Sequence, residues 1–355
     1  MVARPVSHVA HIRWFHECNA SHVADVGGKC ASLGELIVAG MQVPAGFAVT
    51  TAAHELFLQD HDLRRREGEL LAGLDYESVA DVNAVRESLR GLVEGSELPA
   101  ALVAAVSGAY RELCGGDAAV PVAVRSSAVS EDLAGASFAG QLETYLWVEG
   151  ADDVLRNLRR CWGGFFTTEA LVYRHEHGIA PGDVLMSVGV QRMVRARSAG
   201  VMFTLNPLNG DRSKVVIEST WGLGEPLVSG TVDPDRFMLD KVTLDVLESS
   251  IAEKQIEHRP DPASRSVVVA SVEEPRRSAA SISNAEAVEL ARLGKTIERH
   301  YGAPQDVEWA IDAETDAIFV LQARPETVWS RRERTPMVEK KGSALEYVLA
   351  DLLGR

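Results

Sequence analysis

The chain has 355 residues, enough for two domains or one large two-lobed domain. Its 36 Lys and Arg face 51 Asp and Glu, and the resulting net charge of −15 argues against non-specific nucleic-acid binding, although a local basic site can still hold an anion. Four scattered cysteines without a CxxC pair predict reduced thiols rather than a disulfide frame or zinc site; with no signal-peptide core and no apolar run near membrane-spanning length, the expected location is cytoplasmic.

In chain order, GKCASLGELIVAGM (28–41) spaces Leu33, Leu36 and Ile37 as a helix that stops at Gly40. VPAGFAVTTAAHELFL then predicts a short strand, a Thr-Thr helix start and an amphipathic helix, and residues 76–116 read as helical throughout. A strand VPVAVRSS leads into RSSAVSEDLAGASFAGQ, a stretch poor in core-forming groups, followed by β-like ETYLWV. Residues 151–177 return to helix, with Asp152 or Asp153 near its cap. From about residue 184 the texture changes to strands: VLMSVGVQRMV, AGVMFTL, KVVIEST and DRFMLDKVTLDVLES. A long helix runs from Ser283 or Asn284 to Gly302, and QDVEWAIDAETDAIFVLQARP reads as a hairpin around an acidic turn. This texture predicts an α/β N-terminal lobe over 1–190, a mostly β C-terminal lobe over 191–330, and a charged linker with a short amphipathic helix over 331–355.

Few stretches carry residues suited to chemistry. VGGKCASLG places Lys29 after two glycines, but it is not a Walker A loop, because Cys30 stands where Ser or Thr would bind magnesium. The glycine pair opens either an ordinary helix or one whose exposed amides and lysine meet a phosphate. Arg125 ends an apolar strand, and the stretch after it supplies small hydrogen-bonding groups, among them Ser126, Ser127, Ser137, Gly140 and Gln141. That composition suits both a phosphate cradle and a plain surface loop. Glu218 closes KVVIE, as a ribose acceptor or as a solvated acid.

The terminal hairpin is the most informative stretch. Alternation in DVEWAI puts Asp306, Glu308 and Ala310 on one face and Val307, Trp309 and Ile311 on the other. In IFVLQAR it sets Phe319 and Leu321 opposite Val320, Gln322 and Arg324. Pairing across the turn lets Glu308, Gln322 and Arg324 converge: a carboxylate and an amide oxygen suit Mg²⁺, and the arginine suits a transferring phosphoryl group. None of the ten histidines sits in a glycine- and serine-rich elbow, and neither a Ser-His-Asp order nor HExxH is present, so hydrolase chemistry is not indicated.

Four stretches, DVGGKCASLGELIVAGMQVPAGFAVT, VAVRSSAVSEDLAGASFAGQLETYLWV, VQRMVRARSAGVMFTLNP…GLGEPLVSGTVDPDRF and QDVEWAID…IFVLQARPETVWS, together resemble the ATP-binding domain of phosphoenolpyruvate synthase and pyruvate phosphate dikinase, which rifampicin phosphotransferase shares. The resemblance runs in unbroken order over roughly residues 12 to 330. It implies an ATP-grasp fold, α/β (α+β), in which two lobes clasp ATP. By the same resemblance Lys29, Arg125 and the loop amides of Ser137, Phe138, Ala139, Gly140 and Gln141 would meet the phosphates. Gln191 and Met193 would lie by the adenine, Glu218 by the ribose, Glu308 and Gln322 on Mg²⁺, and Arg324 on phosphate.

Full-length members of that family carry a swivelling domain with a phosphorylated histidine, and then an acceptor-binding domain. Neither follows in this chain, which is therefore similar to the ATP-binding subunit of phenylphosphate synthase, whose histidine resides on a separate polypeptide. The resemblance implies that ATP is cleaved to AMP and phosphate, and that its β-phosphoryl group passes to a histidine-bearing partner for a small acceptor such as phenol. The alternatives are an ATP-binding fragment of a phosphoenolpyruvate synthase or rifampicin phosphotransferase-like enzyme, and a non-catalytic ATP-sensing module.

Overall fold

The computed structural model of the chain describes residues 11–116, 119–128, 143–179, 184–261 and 263–329. Strand β1 (Ile12–Trp14) leads into helix α1 (Val23–Val38), strand β2 (Gly46–Val49) and helices α2 (Thr51–Asp60), α3 (Leu63–Leu71), α4 (Val79–Gly95) and α5 (Ala100–Cys114). Strands β3 (Val122–Ala128) and β4 (Thr144–Val148), helices α6 (Ala151–Gly163) and α7 (Thr168–Glu176), and strand β5 (Met186–Arg192) complete the first half. Strands β6 (Ala196–Phe203) and β7 (Lys214–Trp221), the short helix α8 (Glu225–Val228), and strands β8 (Asp235–Asp240), β9 (Val246–Ser250), β10 (Ile256–Asp261) and β11 (Ser266–Ser271) follow. Helix α9 (Asn284–Tyr301) and the hairpin of β12 (Gln305–Asp312) and β13 (Ile318–Pro325) close the described fold.

Caps and breakers set these limits. Thr50, Ser78 and Thr167 accept from backbone amides at the starts of α2, α4 and α7. Ser283 and Glu286 form a reciprocal capping box on α9, which ends at Gly302 with φ 69°. The helical stretch expected over 76–116 is two helices, because Ser96 closes α4 and Pro99, which lacks an amide, opens α5. The stretch over 151–177 likewise divides after Gly163. DRFMLDKVTLDVLES folds back on itself as β8 and β9, with Asp240 Oδ1 accepting from the amides of Val242 and Thr243 in the turn. The tail expected over 331–355 lies outside the described residues.

Two antiparallel sheets carry the architecture, in the orders β1-β2-β5-β3-β4 and β13-β12-β6-β7-β8-β9, with β10-β11 as a separate ribbon. The chain passes from the first sheet to the second between Arg192 and Ala196. One apolar core packs α5 and α6 on the first sheet, around Phe57, Leu102, Val106, Leu158 and Trp162. The second core joins α9 and the second sheet to α1, through Leu33, Leu36, Leu290, Ile297 and Trp309. Helix α1 precedes the first sheet's interior strands in the chain yet packs in the second sheet's core. Among the described residues no single helix is long and apolar enough to cross a membrane; α4 and α5 pass such a test only as a pair bent by 75°.

The β10–β11 ribbon is anchored by a buried polar cluster. Lys254 Nζ donates to Asp235 Oδ1 at 2.5 Å, and both side chains are 0% exposed. Asp235 also accepts from the Ala252 amide at 3.0 Å and from the Ser281 amide and hydroxyl, each at 2.7 Å. Lys254 Nζ donates further to the Ala252 carbonyl at 2.8 Å. Neither charge lacks a partner, so the cluster is satisfied and ties residues 252–254 and the entry to α9 onto β8. Lys254→Met removes the counter-charge and leaves the carboxylate buried. In urea denaturation it should cost about 3–5 kcal/mol, and the Lys254→Met/Asp235→Asn pair should recover part of that loss.

Candidate functional site

The site begins where α1 changes direction. Gly27 adopts φ 71° and ψ 169° inside the helix. A Cβ there would lie 2.0 Å from the Ser127 carbonyl oxygen, so only glycine allows β3 to approach this closely. The Ser127 hydroxyl donates to the Val26 carbonyl at 2.8 Å and accepts from the Cys30 amide at 3.1 Å. A side chain from β3 thus caps the second segment of α1, and Lys29 lines the same cleft as Arg125. Burial pushes the neighbouring Cys30 thiol up to about 11, which favours the protonated thiol over the thiolate.

Arg125 reaches from the first sheet to the second. Its Nη2 donates to Gln322 Oε1 at 2.6 Å and lies 3.8 Å from Glu308 Oε2, while Nη1 lies 3.4 Å from Gln191 Oε1. Arg125 Nε and Gln191 Nε2 are buried and find no hydrogen-bond partner among the described residues.

The hairpin departs from strict alternation. Glu308 pairs with Gln322 but Trp309 pairs with Val320, so Leu321 is an extra residue in a β-bulge. Directly opposed residues share a face, which keeps Glu308–Gln322 and Asp306–Arg324 together. The expected grouping of Val320 with Gln322 and Arg324 is corrected: the bulge turns Val320 into the core opposite Trp309, and Leu321 lines the cleft.

These residues surround a cleft of about 1220 Å³ between the two sheets. Lys29, Arg125, Gln191, Met193, Glu308, Gln322 and Arg324 all line it. The main-chain amide of Met193 is engaged by the Pro121 carbonyl at 2.9 Å, holding the passage between sheets in place. Seven basic and five acidic side chains face the cleft, so its wall is net positive although the chain carries −15. Glu218 shares a face with Glu308, two strands away and opposite Val201 and Arg236, and does not line the cleft. Ser137, Phe138, Ala139, Gly140 and Gln141 lie outside the described residues.

Three further residues belong to this region. Asp306 stands 3.4 Å from Arg324 Nε and orients it. Glu225 lines the cleft, and the Nδ1 of His258 on β10 sits 2.8 Å from its Oε2. Sequence reading placed Asp306 on the right face without a role, and it had no means of pairing Glu225 with a histidine 33 residues away. His175 and His177 are stacked on Tyr76 and Tyr173 at centroid distances of 3.7 and 4.0 Å, away from the cleft.

Among the described residues no group of three or more His, Cys, Asp or Glu side chains is gathered to hold a metal. A carboxylate and an amide oxygen on one cleft face fit a hard cation that takes its remaining ligands from phosphate and water.

The comparisons with known proteins agree with this geometry. The family model described as the pyruvate phosphate dikinase AMP/ATP-binding domain matches residues 23–344. A probable phosphoenolpyruvate synthase from Methanocaldococcus jannaschii is 40% identical over 340 residues, covering 95% of this chain and 28% of the relative. The phosphoenolpyruvate synthases of Pyrococcus furiosus and Pseudomonas aeruginosa are 37% and 42% identical, covering 96% and 91% of this chain and 46% and 43% of theirs. The chain thus spans less than half the length of these relatives.

Burial raises the Asp306 pKa above its ordinary 3.8, and Arg324 offsets this only in part. Between the ordinary and the raised value, the folded state keeps a proton here that the unfolded chain has released. Stability from this group is complete below 3.8 and is lost as pH rises through the raised value. Asp306→Asn should accordingly be at least as stable as the parent at neutral pH in thermal melts, with the difference closing in acid, while its ATP affinity falls because Arg324 loses its partner. The match over most of the chain, on a two-lobed α+β frame with a basic cleft, establishes that the chain belongs to the pyruvate phosphate dikinase AMP/ATP-binding domain family, with the ATP-grasp fold.

Proposed function

We propose that the chain binds Mg²⁺-ATP in the cleft and transfers the β-phosphoryl group to a histidine on another domain or chain. The observation that carries this reading is the convergence of Lys29, Arg125, Glu308, Gln322 and Arg324, from a helix start and two different sheets, on one basic cleft.

ATP, water and the histidine would give AMP, inorganic phosphate and phosphohistidine. Both anhydride bonds break, AMP departs with the α-phosphate, and water supplies the oxygen that balances the phosphate released from the γ position. Lys29 and Arg125 would hold the phosphate chain, and Arg324, steadied by Asp306, would meet charge developing on the transferred group. Glu308 and Gln322 would hold Mg²⁺, which when bound neutralises phosphate charge and aligns the phosphates. Arg125 has to leave Gln322 Oε1 for the phosphates as this happens, a local exchange of one cation for another. Gln191 and Met193 would face the base. A phosphohistidine carrier as partner is supported by the length of the relatives, and their names favour phosphoenolpyruvate over phenylphosphate as the final product.

The test incubates the chain with β-labelled or γ-labelled ATP and Mg²⁺, with and without a polypeptide bearing the phosphorylatable histidine. Acid-labile β-label on that polypeptide, with stoichiometric AMP, is the expected result. ATP binding with no AMP under either condition would reduce the chain to a nucleotide-binding module. Arg324→Ala should lower AMP formation about a thousandfold or more with the circular dichroism spectrum unchanged.

A further inference from the structure

We infer that Trp147 is a base-contacting residue, held against the nucleobase by a strained bulge in β4. This rests on the cleft being a nucleotide site.

Trp147 has φ 59°, a left-handed conformation that a bulky side chain rarely adopts, and it does so inside a strand rather than at a turn. The cause is visible in the register. Val122 pairs with Val148 and Val124 with Tyr145, so Leu146 and Trp147 together oppose the single residue Ala123. Regular alternation would point one of the two at the cleft and the other at the core helices. With the bulge, all of β4 borders the cleft together with Ala123, and the inserted residue adds an indole or leucine side chain to that wall.

Neither of the two large apolar cores accounts for this arrangement. Trp147 is 6% exposed, yet among the described residues it joins neither large apolar core, whereas its neighbour Val148 belongs to the first. Ala123 also pairs with Gln191, so the bulge in β4 and the amide proposed for the base on β5 lie level with each other, on either side of β3. From the other side β11 lies against β4 and brings Val267 and Val269 to the cleft. Val269 is 62% exposed, which leaves apolar surface open to the cleft. Leu321, delivered by the hairpin bulge, adds a further apolar wall. A flat aromatic ring is the ligand that fits between an indole and aliphatic side chains, and a purine base supplies one.

The test compares Trp147→Ala, Trp147→Phe, Trp147→Gly and the parent by calorimetric titration with ATP, adenosine and inorganic tripolyphosphate. Trp147→Ala should weaken ATP and adenosine about tenfold or more while leaving tripolyphosphate within about twofold, and Trp147→Phe should restore most of the loss. ATP should also change the indole fluorescence of the parent by an amount that Trp147→Phe lacks. Strain has its own readout: Trp147→Gly should melt above Trp147→Ala, the reverse of the order at an ordinary strand position. Equal losses for ATP and tripolyphosphate, or no loss for either, would overturn the base contact while leaving the nucleotide site standing. A parent that binds neither ATP nor tripolyphosphate would remove the nucleotide site and this inference with it.

Discussion

Helix α1 is the constraint on which the rest depends, because both sheets use it. On one side the Ser127 hydroxyl of β3 caps its kinked start. On the other, the Ser32 hydroxyl donates to the Ala323 carbonyl of β13 at 2.8 Å, and the Tyr301 hydroxyl at the end of α9 donates to the Ser32 carbonyl at 3.2 Å. The apolar face of the same helix fills the second core. A rotation of one sheet against the other must therefore work against contacts made within three turns of a single helix. Lys29 lies between those anchors, so its ammonium is held at the seam without any element devoted to it. The close approach at Gly27 makes this possible, since a side chain there would push β3 away and carry Arg125 with it.

Charge explains why the seam stays closed. Arg125 is 13% exposed, and a guanidinium so placed needs acceptors. They are Gln322 Oε1 and Glu308 Oε2 on the opposite sheet, with Gln191 Oε1 of its own sheet beside them. Two of the cation's acceptors thus come from the other lobe, and the contact that stabilises the frame uses the atoms proposed to face metal and phosphate. Structural and functional demands meet in one cluster.

What the sequence discloses follows from the range over which each signal acts. Lys29, Arg125, Glu308, Gln322 and Arg324 were legible because each stands at a fixed offset from a local pattern: a glycine pair, the end of an apolar strand, or a hairpin. The Ser283–Glu286 box and the stop at Gly302 were legible for the same reason. Ser127 was not, because its partners lie about a hundred residues upstream. The β10–β11 ribbon was hidden by Pro260, which is tolerated because the ribbon has only two strands. Glu218 shows the limit of a face assignment: register puts it level with Glu308, but two strand spacings carry it away from the cleft.

Among the described strands the pairing register shifts at four places, and two of the shifts face the cleft. In β13 the extra residue is Leu321, and in β4 it is one of Leu146 and Trp147. A regular strand sends alternate side chains to opposite faces, so along each strand only every second residue can serve a site. An inserted residue adds apolar surface on one face without displacing the polar groups already there. In β13 this leaves Gln322 and Arg324 in register with Glu308 and Asp306 while Leu321 joins the wall. In β4 the same device operates one strand away from Arg125. The shifts at Ile311/Asp312 and Met238/Leu239 lie off the cleft, so a bulge alone does not mark a site; in β4 and β13 it is the bulge together with cleft-lining side chains that points to a ligand.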